Sequence, residues 1–206
     1  MTLKKSILLI AIVLLIDQIS KIYIKTHFKL QDSIEVFSWF KIFFIENEGM
    51  AWGTRISDLI PGVNDRTAKM ALTLFRIVAI FGIGYWLYSA TKSKAPNVLI
   101  WAIALIFAGA LGNIIDSVFY GVLFNDSYME VATFLPEGGG YDTLLHGKVV
   151  DMLYFPLYKG YLPEWLPIWG GKFFTFFEPV FNVADMAIST GFIMLIVFNK
   201  RAFPKK

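Results

Sequence analysis

The stretch that decides the fold is Phe-Asn-Val-Ala-Asp at residues 181–185. It lies near the start of an apolar run, residues 179–198, that is long enough to cross a bilayer and whose only charged residue is Asp185. A carboxylate costs about 2.5–3.5 kcal/mol at the bilayer centre and less near the interface, so an aspartate there usually has a partner and a function. The second carboxylate in a comparable setting is Asp151, which directly follows two valines.

The composition indicates a membrane protein. The 206 residues are 56% hydrophobic and only 17% charged, against roughly 25% charged in soluble domains. One integral membrane domain over residues 1–206 is therefore predicted. The chain has no cysteine and only two histidines, which argues against thiol chemistry and against a zinc site, so neither metal nor cofactor is expected. The net charge of +3 comes from cations that flank apolar runs, which indicates membrane topology and not nucleic-acid binding.

Four apolar runs predict a bundle of four membrane-spanning helices. They cover approximately residues 6–24, 70–90, 97–115 and 179–198. The first run resembles the start of a secretory signal peptide, but no cleavage site follows and an uncleaved helix is favoured. Asp17 and Lys21 in this run are four residues apart, so they share a helix face and can pair.

Two stretches do not fit membrane helices. Residues 27–66 are rich in aromatic and β-branched residues and are interrupted by turn residues. They predict a small β-sheet, a β-cradle, resting on the membrane, with a plain β-hairpin linker as the alternative. Residues 117–178 predict a long loop region whose aromatic residues suit a membrane interface.

The basic residues predict the orientation. With four spans both termini lie on the same side, together with the lysines at 4, 5, 92, 94, 205 and 206. The positive-inside rule makes that side the cytoplasm. The β-cradle, the long loop region and the polar ends of the spans would then meet near the outer, extracytoplasmic face.

Two neighbouring carboxylates can hydrolyse a peptide bond without a metal. Like charges a few ångströms apart cannot both ionise, so one acid keeps its proton while the other takes a proton from water. Asp151 and Asp185 are the candidates. Asn182 lies three residues before Asp185 and can orient a carboxylate or a substrate carbonyl, and the helix N-terminus favours a charged Asp185. A helix cap or a buried ion pair is the structural alternative for each aspartate.

The order of these motifs resembles the bacterial lipoprotein signal peptidases (signal peptidase II), which are intramembrane aspartic peptidases. The resemblance covers most of the chain. Its motifs are Asp17-Gln18 with Lys21, Asn47-x-Gly49-x-Ala51-x-Gly53, Gly109-x-x-Gly112-Asn113-x-x-Asp116, Val149-Val150-Asp151, and the stretch at residues 181–185.

The resemblance implies a site and a reaction. Asp151 and Asp185 would be the catalytic pair, cleaving a prolipoprotein just before a cysteine that carries diacylglycerol. Residues implied to bind substrate or support the site are Asp17, Lys21, Asn47, Gly109, Asn113, Asp116, Asn182 and Ala184. The family also implies residence in the bacterial inner membrane, contact with membrane lipids, inhibition by globomycin-type peptides, and a monomer.

Two features depart from the family pattern. The family usually has arginine directly after the aspartate that matches Asp116, where this chain has Ser117. We hypothesise that Arg76, in the second span, supplies the missing charge; a snorkelling arginine is the alternative. The segments 117–150 and 152–181 also look long for the family, and their aromatic and glycine content suggests an outer lid or membrane-resting flap, including residues 127–141.

Two functions from other classes were weighed against a peptidase. A small multi-spanning transporter would carry charges along a pathway near mid-membrane and often shows internal repeats, neither of which the sequence has. A non-catalytic membrane scaffold is the other alternative, and it would cleave nothing.

Overall fold

The computed structural model describes residues 1–48 and 64–204, in which three helices are long and apolar enough to cross a membrane. Their bounds are Leu3–His27 for α1, Asp65–Lys92 for α2 and Asn97–Ile115 for α3. These helices coincide with the first three predicted spans, and the prediction of a membrane α-helical protein is confirmed. Helix α2 starts five residues before the predicted residue 70 because Asn64 caps it, its side chain accepting a hydrogen bond from the Arg66 amide at 2.9 Å.

Helix α1 has its polar side chains inside and its apolar side chains outside. Asp17, Lys21 and Lys25 are completely buried, and their spacing of four residues puts them on one face. The opposite surface exposes Leu8 and Leu15, which are 61% and 60% accessible. This arrangement suits a helix that faces lipid on the outside and a polar site within the bundle.

Helix α3 does not stop at residue 115. It continues through a π-helical turn, Asp116–Tyr120, and a last helical turn, Gly121–Leu123. Ser117 and Tyr120 are both buried in this extension, 2% accessible each. The predicted boundary at residue 115 was therefore too early, because the polar residues after it face the interior and not solvent.

The fourth helix, α4, is shorter and spans Val183–Val197, followed by a short helix α5 at Asn199–Ala202. Its predicted start at residue 179 was wrong. The residues before it form a short strand, and Asn182 caps the helix by a capping box with Asp185. The cap fixes Asp185 in the first turn of α4.

A four-stranded antiparallel sheet lies beside the helices. Its strands are β1 (Ser33–Phe37), β2 (Phe40–Asn47), β3 (Val149–Tyr154) and β6 (Val180–Phe181), in the order β1-β2-β3-β6. Strands β4 (Tyr158–Tyr161) and β5 (Phe173–Phe176) form a separate hairpin. A small sheet was predicted for residues 27–66, and of its described strands β1 and β2 come from there. Residues 117–178, predicted as a long loop region, also contain the short strands β3, β4 and β5. Most of the glycine-rich part of the predicted cradle, residues 49–63, lies outside the described residues.

The segment that follows α3 packs into the core. Tyr120, Phe124 and Ala132 are buried in one cluster with Phe44 of β2 and Val150 of β3. Residues 127–141, which the lid hypothesis places in an outer flap, therefore contribute to this core through Ala132. The lid or flap over residues 117–150 and 152–181 stays a prediction. Tyr128 and Phe134, within residues 127–141, are 68% and 52% accessible, and further exposed aromatic residues lie in the β4–β5 hairpin and its flanks.

Glycine allows α3 and α4 to approach closely. A Cβ at Gly109 would lie 2.2 Å from the carbonyl oxygen of Ala184 and 2.7 Å from Ile188 Cγ1. On the other helix, a Cβ at Gly191 would lie 2.7 Å from the carbonyl oxygen of Ala102. These contacts with backbone atoms leave no room for even a methyl group, as in other tightly packed membrane helices.

We predict that Gly109→Ala lowers the stability and activity of the protein. The added methyl group forces α3 away from the first turn of α4, at a cost of about 1–3 kcal/mol for overpacking. The measurement is thermal unfolding in detergent, together with cleavage of a precursor. Gly82→Ala in α2 is the matched control, since no atom lies within 4 Å of its Cβ and alanine favours helix by about 1 kcal/mol. Equal Tm values for the two variants would contradict the proposed contact.

Candidate active site

Asp151 lies in the middle of β3 and is almost completely buried, at 2% accessibility. Strand pairing places it opposite Ile45 of β2. One carboxyl oxygen accepts a hydrogen bond from Asn182 Nδ2 at 2.6 Å, and the other accepts one from Asn47 Nδ2 at 3.3 Å. Burial, followed by the negative charge of Asp185, raises the pKa of Asp151 to about 7. A carboxyl group in this setting holds its proton near neutral pH.

Asp185 lies in the first turn of α4 and is only partly buried. Its Oδ1 accepts a hydrogen bond from Asn113 Nδ2 at 2.9 Å, and its Oδ2 accepts one from the backbone amide of Asn182 at 3.3 Å. The amide groups at a helix N-terminus also favour a negative charge there. The two aspartates therefore occupy different surroundings, one deep in a sheet and one at a helix end.

Asn182 connects the two aspartates. Its side-chain oxygen accepts a hydrogen bond from the Asp185 amide at 2.9 Å, which completes the helix cap. Its side-chain nitrogen donates to Asp151 and also to the carbonyl oxygen of Val150 at 3.2 Å. The structure thus brings the two predicted residues together, and the helix cap considered as an alternative is part of the same arrangement.

Lys21 fixes the orientation of the Asn113 side chain. Asn113 Oδ1 accepts hydrogen bonds from Lys21 Nζ at 2.8 Å and from Asn182 Nδ2 at 3.2 Å. An ammonium group can only donate, so the amide oxygen must face Lys21 and the amide nitrogen must face Asp185. This geometry makes Asn113 a donor to the carboxylate of Asp185.

Lys21 also forms a completely buried ion triad with Asp17 and Asp116. The Nζ–carboxylate distances are 2.9 Å to Asp17 and 2.8 Å to Asp116, and all three side chains are inaccessible to solvent. The predicted Asp17–Lys21 pair is therefore confirmed, with Asp116 as a second acid.

The triad holds the backbone immediately before each candidate catalytic aspartate. Asp17 Oδ1 accepts a hydrogen bond from the Ala184 amide at 2.9 Å, and Asp116 Oδ2 accepts one from the Val150 amide at 3.3 Å. Two carboxylates and one ammonium leave one negative charge, which these backbone donors and the side chain of Gln18 stabilise. Gln18 Nε2 donates to Asp17 at 3.1 Å and to Asp116 at 2.9 Å.

The remaining predicted residues lie around this centre. Gly109 contacts Ala184, whose methyl group would be 3.3 Å from a Cβ at Gly112. Arg76 is half-buried on α2. Ser117 turns its hydroxyl group back to the Asn113 carbonyl oxygen at 2.9 Å.

A second buried network was not predicted from the sequence. Lys25 pairs with Glu46 and donates to Ser127 Oγ at 2.8 Å, while Glu46 also pairs with Lys148 at 3.4 Å. The burial of Lys25 could have been predicted from the sequence, since it follows Lys21 by four residues and so lies on the same helix face. No pattern in the sequence around Glu46 or Ser127 indicates that they contact Lys25, because these contacts join segments far apart in sequence. Within residues 1–48 and 64–204, no group of three or more acidic or histidine side chains is arranged to hold a metal ion.

The chain is similar to known proteins over nearly its whole length. The family described as Signal peptidase (SPase) II, Peptidase_A8, matches residues 9–200. The "Lipoprotein signal peptidase" of Porphyromonas gingivalis is 47% identical, over 94% of this chain and 81% of the relative. The protein of the same description from Amoebophilus asiaticus is 37% identical, over 95% of this chain and 76% of the relative.

A solved structure agrees with the sequence relatives. It is described as a bacterial membrane enzyme determined by the in meso method at 1.9 Å resolution, with a TM-score of 0.60 and 27% identity. The similarity covers 98% of this chain and 96% of the solved chain. Together with the matches in sequence, it shows that this chain belongs to the signal peptidase II family of bacterial membrane aspartic peptidases.

Proposed function

We propose that this chain cleaves diacylglyceryl-modified prolipoproteins just before the lipidated cysteine, using Asp151 and Asp185 as its catalytic pair. The observation that carries the assignment is the bridge through Asn182, which contacts both carboxyl groups. Family membership favours a peptidase over the transporter and the scaffold considered from the sequence.

The proposed reaction uses the different surroundings of the two acids. Asp151 starts protonated and gives its proton to the scissile carbonyl oxygen, whereas Asp185 starts ionised and takes a proton from the attacking water. The water oxygen bonds to the carbonyl carbon, which forms a diol. When the C–N bond breaks, Asp185 passes its proton to the departing amine of the cysteine, and Asp151 takes a proton back from a diol hydroxyl group. The products are the signal peptide, with a free carboxyl end, and a lipoprotein with a free amino end.

The proposed topology is one domain, residues 1–206, with four spans, both termini in the cytoplasm and the site near the outer face of the cytoplasmic membrane. Basic residues near the ends of the chain and between α2 and α3 support this orientation. Asp17 lies 14 residues after the start of α1, or about 21 Å along the helix axis, which is deep enough to approach the outer side of a core about 30 Å thick.

The proposed partners follow from the same reaction. They are lipidated prolipoproteins, membrane lipids and globomycin-type peptides, which would occupy the space in front of Asp151 and Asp185. The protein is proposed to act as a monomer, since all the candidate site residues come from one chain.

We also propose that Arg76 supplies the positive charge that Ser117 lacks. Its electrostatic interaction with Asp185 supports this role. In the substrate complex the guanidinium group would lie beside the ionised acid and the polar groups of the substrate, where it would stabilise negative charge as the water attacks.

We predict that Asp151→Asn and Asp185→Asn each reduce cleavage of a lipidated precursor by about 10³-fold or more. Each amide keeps the size of the carboxyl group but can neither take nor share the required proton. The measurement is cleavage by purified protein, with an unlipidated precursor in parallel. Asp142→Asn is the control, since Asp142 pairs with Arg66 on the surface. Cleavage at the normal rate by either dyad variant would contradict the assignment, and equal cleavage of both precursors would contradict the substrate.

We predict that kcat/KM falls as the pH rises through about 7, because Asp151 then loses the proton that it must donate. Asn47 donates a hydrogen bond that lowers the pKa of Asp151. Asn47→Ala should therefore raise this pKa and move the alkaline limb of the pH profile to higher pH. The control is Asn199→Ala, at the exposed start of α5. A shift of the limb to lower pH would contradict Asp151 as the proton donor.

We predict that Arg76→Ala lowers kcat/KM about tenfold, equivalent to about 1.4 kcal/mol in the transition state, and that Arg76→Lys restores part of the loss. The control is Arg66→Ala on the same helix, since Arg66 forms exposed contacts with Asp142 and Thr143 and surface pairs of this kind contribute little. Full activity of Arg76→Ala in purified enzyme would show that the arginine has no role in the reaction.

A further inference from the structure

The β4–β5 hairpin is inserted between the two candidate catalytic segments. It follows β3, which carries Asp151, and precedes β6, which leads into α4 and Asp185. Strands β3 and β6 pair with each other, Leu153 opposite Phe181 and Tyr154 opposite Val180. The two ends of the hairpin are therefore fixed at the sheet of the candidate active site, while among the described strands β4 and β5 pair only with each other.

The tip of the hairpin, residues 162–172, exposes large apolar side chains on an ordered turn. Trp165, Ile168 and Trp169 are 80%, 83% and 59% accessible. The turn is closed by backbone hydrogen bonds from Leu162 to Lys172 at 2.9 Å and from Gly171 to Leu162 at 3.0 Å. Two exposed tryptophans and an isoleucine on a defined turn are unfavourable in water, and such a surface marks a site of interaction.

We propose that this tip docks into the interfacial layer of the lipid bilayer. Tryptophan favours that layer, where its ring is apolar on its faces and its N–H group remains hydrated. The base of the hairpin also lies at a membrane boundary, because β6 ends at Phe181 and the membrane helix α4 begins at Val183.

An aromatic surface continues from the base of the hairpin along the sheet. Phe177 contacts Phe181 with ring centroids 6.0 Å apart, and Phe181 stacks on Phe155 at 5.6 Å. Phe155 in turn stacks on Trp39, in the turn between β1 and β2, at 6.1 Å. Trp39 is itself 52% accessible. This continuity favours one extended apolar surface, such as a bilayer, over a small partner that would cover the tip alone.

The net charge of the tip indicates whether docking requires anionic lipid headgroups. Residues 162–172 contain one acidic residue, Glu164, and one basic residue, Lys172, so the tip has no net charge. Docking therefore depends on burial of apolar surface and not on attraction to anionic headgroups. It would hold strands β3 and β6, and with them Asp151, at a fixed depth relative to the membrane.

The absence of native cysteine allows a direct test. Ile168→Cys carries a single environment-sensitive fluorophore, and the protein is reconstituted in phosphatidylcholine vesicles. Glu137→Cys, at an exposed acidic position in another turn, is the matched control. We expect a lipid carrying a spin label near its headgroup to quench the fluorophore at 168 several-fold more than that at 137, and aqueous iodide to do the reverse.

Further variants separate the bilayer from other partners. Trp165→Ser with Trp169→Ser should reduce lipid quenching at 168, whereas added anionic lipid should leave it unchanged. Equal iodide access at 168 and 137 would overturn the proposal. A requirement for anionic lipid, or protection that grows with the protein-to-lipid ratio and so indicates a second copy of the chain, would also overturn it. Retained precursor cleavage by both cysteine variants establishes that they fold.

Discussion

The structure depends on one ammonium group, Lys21 Nζ, buried between Asp17 and Asp116. Removing three charges from water is costly and is tolerated only when every partner is well placed. Lys21 has three donors, and its neighbours are two carboxylates and the amide oxygen of Asn113. All three donors of the ammonium group therefore have an acceptor, whereas the two carboxylates need further hydrogen-bond donors from elsewhere in the protein.

Those further donors explain how a charge cluster positions the proposed catalytic pair. Asp17 accepts a hydrogen bond from the backbone amide of Ala184, the residue directly before Asp185. Asp116 accepts one from the backbone amide of Val150, the residue directly before Asp151. Helix α1 thereby connects the start of α4 to strand β3, two segments that are about thirty residues apart in sequence. The same lysine sets the amide of Asn113 toward Asp185. Burial of the triad keeps these contacts rigid, because any opening would leave unpaired charge in a low-dielectric interior.

The sequence predicted the parts of this arrangement that follow from local periodicity. Long apolar runs predicted the three long helices, and the spacing of Asp17 and Lys21 predicted their ion pair. Asp151 and Asp185 were identified as a pair because each carboxylate is costly in an apolar setting. The family resemblance placed Gly109 among the residues that support the site, and a Cβ there would meet the backbone of Ala184.

Other parts depend on contacts between distant segments and could not be predicted in the same way. Strand β6 has two residues, too few for a pattern, and it exists because it pairs with β3. The π-helical turn at Asp116–Tyr120 keeps Ser117 inside where a regular pattern indicated the end of a helix. The segment after it has no periodicity, yet Phe124 and Ala132 pack into the core, because its role there is to cover β2 and β3.

The different surroundings of the two aspartates also follow from these elements. Asp151 lies in the middle of β3 opposite Ile45 of β2, is buried, and accepts hydrogen bonds from the side chains of Asn47 and Asn182. A residue in the first turn of a helix faces the end of that helix, so Asp185 remains partly accessible and receives backbone and side-chain donors. Burial, followed by the charge of Asp185, raises the pKa of Asp151 to about 7. The fold itself therefore gives the two carboxyl groups different surroundings, which is what a division of roles between two acids requires.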